Sequence, residues 1–216
     1  MVNKKVGLAV VFALAAAGAF AQIQMSAGGG LLFDWNKSSI DLKDSGGNSF
    51  KINIKNNTIL GAFGFFDATY AEINAAVVLG KVLMEAPTTG VGTAVLGSAW
   101  QLNLTLLGKY PFDLGRVTLF PLFGFSYNMV LSLAGSENNP TAYRAAAKDL
   151  SQFGLLGGAG IDFGLGEKLF IRGEALFQTR FASKYEKDLA GSWPGSTGKA
   201  GLGIGPVIKL GVGYKL

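Results

Sequence analysis

The sequence predicts an all-β chain: eight antiparallel strands in an up-and-down transmembrane barrel. Three observations carry that expectation. Of 216 residues, 49% are hydrophobic and only 15% charged, with mean hydropathy +0.34, against about 25% charged in an average soluble protein. The apolar residues recur with a period of two, the period of a strand with unlike faces, not 3.6. The connections between apolar segments alternate long and short, the rhythm of a barrel with long loops at one end and tight turns at the other.

The chain opens MVNKKVGLAVVFALAAAGAFAQ. Lys4 and Lys5 form a basic start, residues 6–18 an apolar stretch, and Ala19-Phe20-Ala21 a small-x-small cleavage pattern. Residues 1–21 therefore read as a signal peptide and 22–216 as the barrel. A membrane-anchoring helix is the alternative, but the run is short for a span of about 20 residues. Loss of Lys4 and Lys5 lowers the formal charge from +5 to +3, so the basic balance is no argument for nucleic acid.

In the first strand, Ile23, Met25, Ala27, Gly29, Leu31, Phe33 and Trp35 share one face, and Gln24, Ser26, Gly28, Gly30, Asp34 and Asn36 the other. A polar loop is expected over 36–49. The second strand begins with Phe50, Ile52 and Ile54 on one face, then loses phase, which predicts a bulge near Asn56-Asn57. After the turn FDAT, the third strand sets Ala71, Ile73, Ala75, Val77 and Leu79 opposite Glu72 and Asn74. A long loop over 84–98 leads to the fourth, where Trp100, Leu102, Leu104, Leu106 and Tyr110 oppose Gln101, Asn103, Thr105 and Lys109.

The turn PFDLG leads to a fifth strand with Val117, Leu119, Phe123, Phe125, Tyr127 and Met129 opposite Arg116, Thr118, Gly124, Ser126 and Asn128; Pro121 within it predicts a bulge or kink. A third long loop covers 134–151, with Asn139 and Pro140 as a helix start. The sixth strand is QFGLLGGAGIDF and the seventh KLFIRGEALFQTRF, with Lys168, Arg172, Glu174, Gln178 and Arg180 on one face. A fourth long loop covers 182–198. The last strand, 199–216, ends KLGVGYKL.

Periodicity alone does not say which face is outside. A soluble eight-stranded barrel has the same alternation, and would need the charge-poor, glycine-rich face to meet water. Three features favour hydrocarbon outside. The polar face is mostly Gly, Ser, Thr, Asn and Gln, small enough for the narrow interior of eight strands. Aromatics on the apolar face gather near strand ends: Trp35, Trp100, Tyr127, Phe153 and Phe181 toward the long loops, Tyr110, Phe163 and Tyr214 toward the short turns. Two such rings match interfacial girdles. Most strands reach the length that crosses a bilayer when tilted.

LFPLFGFSY, from Leu119, and GLLGGAGIDFGLGEKLFIRGEALFQ, from Gly154, resemble segments of the small outer-membrane β-barrel superfamily that includes OmpW, OmpX and the OmpA transmembrane domain. The resemblance covers Gln22 to Leu216. It implies outer-membrane localisation and, on the OmpW-like side, passage of small, apolar solutes. The ending also resembles the family's C-terminal signal for the outer-membrane insertion machinery: Leu210, Val212, Tyr214 and Leu216 alternate, with Leu216 where Phe is usual.

Candidate lumen-lining charges are Glu72, Lys109, Arg116, Asp162, Arg172, Glu174, Arg180 and Lys209. They read either as a charged constriction in a narrow channel or as an ion-pair network filling a solid barrel. Arg172 and Glu174, two residues apart, are the central candidates. Tyr143, Arg144, Lys148, Tyr185, Lys187 and Trp193 in the loops are candidates for binding a host component. With no His and no Cys, Ser-His, Cys-nucleophile and histidine- or thiolate-metal chemistry fall away. No enzyme, cofactor or metal is expected. The expected partners are outer-membrane lipid and the insertion machinery, with a small apolar solute or host surface component at the site. The leading function is a narrow channel; the alternative is a structural barrel anchoring surface loops.

Overall fold

A computed structural model describes residues 24–85, 94–134, 149–192 and 196–216. The strand segments are β1 (Met25–Asp44), β2 (Ser49–Ala68), β3 (Ala71–Glu85), β4 (Ala94–Lys109), β5 (Phe112–Asp113), β6 (Val117–Ala134), β7 (Gln152–Gly164), β8 (Leu169–Arg180), β9 (Ser196–Ala200) and β10 (Gly203–Lys215). One helix, α1 (Lys184–Ser192), lies between β8 and β9. β5 is a two-residue appendage of β6, and β9 and β10 both pair with β1, so the sheet closes as eight antiparallel ribbons. Closure runs from Ser26↔Lys215 to Lys37↔Ile204 and ends with the Leu216 amide donating to the Met25 carbonyl at 2.9 Å. A closed sheet has no open edge to satisfy, which is what hydrocarbon demands of a spanning structure.

The outward face is apolar over most of the wall. Leu31, Trp35, Ile73, Val77, Leu104, Leu106, Phe123, Phe125, Ile171, Phe177, Leu210 and Val212 are all exposed. At the short-turn end Tyr110 packs between Tyr70, tilted to it, and Phe112, edge-on to it, with centroids 6.1 and 5.2 Å away. At the other end Tyr127 and Phe153 meet at 4.5 Å.

Beyond Trp35 the polarity of the wall inverts. β1 keeps its parity, but the outward residues become Lys37, Ser39, Asp41 and Lys43, while Ile40 and Leu42 turn inward and are fully buried. β2 does the same with Lys51, Asn53 and Lys55 outside and Ile52 and Ile54 inside. These inward residues join Val82, Ala99, Val130 and Ala190 in an apolar cluster under α1. A second cluster, including Leu32, Phe63, Phe65, Leu107, Phe120, Leu156, Phe170 and Val207, fills the barrel below.

Several sequence expectations change. The polar loop over 36–49 is instead the upper half of the first hairpin, because Ile40 and Leu42 alternate with polar residues in water-facing phase. Likewise β3 runs on to Glu85 and β4 starts at Ala94, inside the expected loop. The bulge expected near Asn56-Asn57 falls between Thr58 and Leu60; Ile59 and Leu60 both point outward, which moves β2 from odd to even residues outside. The Thr58 hydroxyl accepts from the Asp34 amide at 3.0 Å and donates to the Asp34 carbonyl at 2.8 Å, covering backbone groups where the β1–β2 register slips. Pro121 brings no bulge against β7: β6 keeps register with that strand through it. On its other side, β4 pairs only as far as Leu122 and β5 begins at Leu119, so no ladder partner is lost there.

The final strand is interrupted at Gly201-Leu202, and 182–198 contains α1. Lys168 lies in the turn before β8, exposed, not on the inner face. Residues 1–21, the Asn139-Pro140 helix start, and Tyr143, Arg144, Lys148 and Trp193 lie outside the described residues.

Candidate functional site in the barrel lumen

The short-turn end opens into a vestibule of about 970 Å³, lined by Gln24, Lys109, Arg116, Asp162, Phe170 and Lys215 among others. Its floor is a charge cluster built from five strands. Arg172 of β8 grips Asp162 of β7 with two bonds, Nε at 2.7 Å and Nη2 at 2.6 Å. Its Nη1 donates to Glu72 of β3 at 2.5 Å and its Nη2 to Asp67 of β2 at 2.7 Å. Lys109 of β4 also donates to Asp67. The planar guanidinium suits this because its donors fan out in one plane toward several carboxylates.

Three phenyl rings enclose the same guanidinium. Phe65, Phe170 and Phe120 lie 4.4, 5.1 and 5.1 Å from its central carbon. Their space comes from glycines on neighbouring strands: a Cβ on Gly28, Gly160 or Gly213 would overlap the rings of Phe65, Phe120 and Phe170 respectively. The period-two glycine of the inner face is thus a packing device for rings that surround a buried cation.

Above this floor, Lys209 pairs with Glu174 at 3.0 Å and lies 5.5 Å from the Phe63 centroid. Asn74 donates to Glu72 at 2.7 Å and to Thr105 at 2.9 Å. Higher still, Arg180 bonds Asp34, and the Asn56 and Gln101 amides bond each other at 3.0 Å in both directions. Arg172, Glu72, Lys209 and Arg180 are each 0–1% exposed. A cavity of only about 30 Å³, room for about one water, lies among Asn36, Ser38, Asn56, Gln101, Gln152 and Glu186. This cavity lies toward the long-loop end, where α1 packs on the wall.

Glu186 closes that end. It completes a capping box for α1: the Ser183 amide donates to Glu186 Oε2 at 2.7 Å and the Glu186 amide to Ser183 Oγ at 3.2 Å. The same carboxylate accepts from Ser38 of β1 and, at 2.9 Å, from Gln152 of β7. One buried acid thus pins the helix to two walls.

Of the eight lumen candidates, Glu72, Lys109, Asp162, Arg172, Glu174, Arg180 and Lys209 point inward into these networks, while Arg116 is exposed at the vestibule rim. The eight aromatics named from the sequence, Trp35, Trp100, Tyr110, Tyr127, Phe153, Phe163, Phe181 and Tyr214, all lie on the outward face. Leu210, Val212, Tyr214 and Leu216 are outward too. Tyr185 and Lys187 sit on α1. Asp34, Asp67 and Glu186 join the networks without being among the eight candidates. Asp67 lies within the expected turn FDAT, and the signal for it is the inward series Phe63, Phe65, Asp67 after the bulge. The signal for Glu186 was the Ser-x-x-Glu spacing from Ser183.

A closed antiparallel barrel with an apolar exterior, two aromatic rings and a polar, packed interior defines the class: a transmembrane β-barrel of the outer-membrane type. The chain is similar in structure to the outer membrane protein OprG from Pseudomonas aeruginosa, with TM-score 0.56 and 18% identity over 89% of this chain and 95% of that one. Weaker likenesses are to Ail of Yersinia pestis, solved with the heparin analogue sucrose octasulfate (TM-score 0.33, 13% identity, 88% and 99% coverage), and to the outer membrane protease OmpT of Escherichia coli (0.35, 10%, 89% and 97%). The fold assignment rests on the first. No protein-family model matches the chain, and no curated protein matches it.

Proposed function

We propose that this is an exported, non-catalytic outer-membrane barrel with a sealed lumen, whose function is to hold its long-loop end at the cell surface, where α1 and the loops meet external ligands or host components. The observation that supports this reading is the floor at Arg172: every guanidinium nitrogen is engaged by a carboxylate, and three phenyl rings pack around it. In the same reading residues 1–21 are removed, and Leu210, Val212, Tyr214 and Leu216 guide insertion. Bilayer conductance tests the sealed lumen. The mature chain in planar bilayers is expected to show no discrete conductance steps, and steady steps would refute the sealed state.

The vestibule favours a second reading, passage of a small solute. It holds about 970 Å³, mixes polar and apolar lining, and reaches the charge cluster directly. This route requires the Arg172 cluster to rearrange. Liposome uptake of labelled apolar solutes separates the two: uptake by the wild type supports passage, and none supports the anchor.

A further inference from the structure

We infer that the outward faces of β9, β1, β2 and β3, just beyond the aromatic ring, bind phosphate groups of lipid headgroups in the outer leaflet. This deepens the membrane reading above and rests on it. Lys37 lies directly across from Lys55 in the β1–β2 register. Like charges directly opposite one another destabilise a sheet. Glu85 takes Lys55 at 2.6 Å, but Lys37 and Lys81 have no acidic partner among the described residues. Four residues further up β1, Asp41 lies across from both Lys51 and Lys199, with the Lys51 pair at 3.4 Å, and Lys43 is the next outward residue. Six lysines therefore share this face with two carboxylates. On the other wall the described outward strand side chains near this level, Tyr127, Leu131, Ser132, Phe153 and Phe181 among them, carry no charge.

The depth of this strip identifies the ligand. Asn57 is across from both Trp35 and Lys81, so Lys81 stands on the rung of an interfacial tryptophan. Lys37 is one outward position higher, about 7 Å along the strand. That is headgroup depth, where long lysine stems run along apolar surface and place the ammonium at the interface. Free phosphate in bulk water would feel only the screened attraction of exposed charges. A bilayer holds headgroup phosphates at this height, several at once, so a lipid is favoured over the free ion.

The test uses the mature chain in phosphatidylcholine nanodiscs doped with bisphosphorylated lipid A or its dephosphorylated form, with native mass spectrometry reading retained lipid. The wild type is expected to retain the bisphosphorylated form about tenfold more than the dephosphorylated one, a difference of about 1.4 kcal/mol. Lys37→Gln/Lys81→Gln/Lys199→Gln removes that preference, and Lys184→Gln/Lys187→Gln on α1 keeps it. Equal retention of the two lipids by the wild type overturns the proposal without needing any variant. Full displacement by excess inorganic phosphate overturns the lipid assignment in favour of a free-anion site. Heat-modifiable gel migration is read on the same samples: a wild type that inserts yet shows no lipid preference defeats this inference alone, whereas one that never inserts defeats the membrane reading.

Discussion

The lower and upper halves of β1 are one continuous strand with opposite chemistry. Below, Leu31 and Trp35 face out, while Gly30 and Asp34 face in. Above, Lys37, Ser39 and Asp41 face out, and Ile40 and Leu42 face in. Parity never changes; the solvent does. The contrast shows that the interior is not simply the polar side of an inverted protein. Where hydrocarbon covers the outside, the inside carries the charges, paired with one another and gathered most densely at Arg172, together with rings fitted over glycine. Where water covers the outside, the inside is an ordinary apolar core capped by a helix.

The two halves should break differently. The largest effect is expected at Arg172→Ala, which leaves Asp67, Glu72 and Asp162 without their common partner. Removing one member of a buried ion pair costs about 3–5 kcal/mol; urea unfolding in a lipid bilayer should show a loss of that size. Next comes a direct contrast of solvents. Leu104→Arg, on the outward face between Trp100 and Tyr110, should cost about 2–4 kcal/mol, the cost of Arg at the bilayer midplane. Asn53→Arg, outward on the upper half of β2, should stay within about 0.5 kcal/mol as an ordinary surface change does. Equal costs would erase the distinction between the halves.

Gly160→Val sharpens the lower half. The added side chain overlaps the Phe120 ring that packs on Arg172, and overpacking of this kind costs about 1–3 kcal/mol. The smallest loss expected of a broken contact belongs to the upper half. Ser183→Ala removes the capping partner of Glu186 and is expected to cost about 1 kcal/mol. It should appear as faster hydrogen exchange in α1 with the barrel's unfolding midpoint unchanged.

The lower half was legible in the sequence because alternation between apolar residues and glycine or small polar residues has no reading other than a strand with one crowded face. The residues that carry the charge network stood on that face in plain order, Arg172 and Glu174 above all. The upper half was hidden by the inversion itself. Ile40 and Leu42 among Ser, Asp and Lys look like a loop when the expected outward residues are apolar. The one-residue shift at Ile59 then displaced Asp67 from the inner wall to an apparent turn. Glu186 is hidden because its partners are distant in sequence: Ser38, 148 positions away, is brought to it by closure of the barrel, and Gln152, 34 positions away, by the β7–β8 pairing.

The central claim is that hydrocarbon ends between Trp35 and Lys37. The chain has no cysteine, so single cysteines at Leu31, Phe33, Trp35, Lys37, Ser39 and Asp41 can each carry a nitroxide without background. In bilayers, oxygen collisions are expected to exceed those of a water-soluble nickel relaxant at the first three positions and to fall below them at the last three. A water-dominated signal at Leu31 and Phe33 would contradict the account.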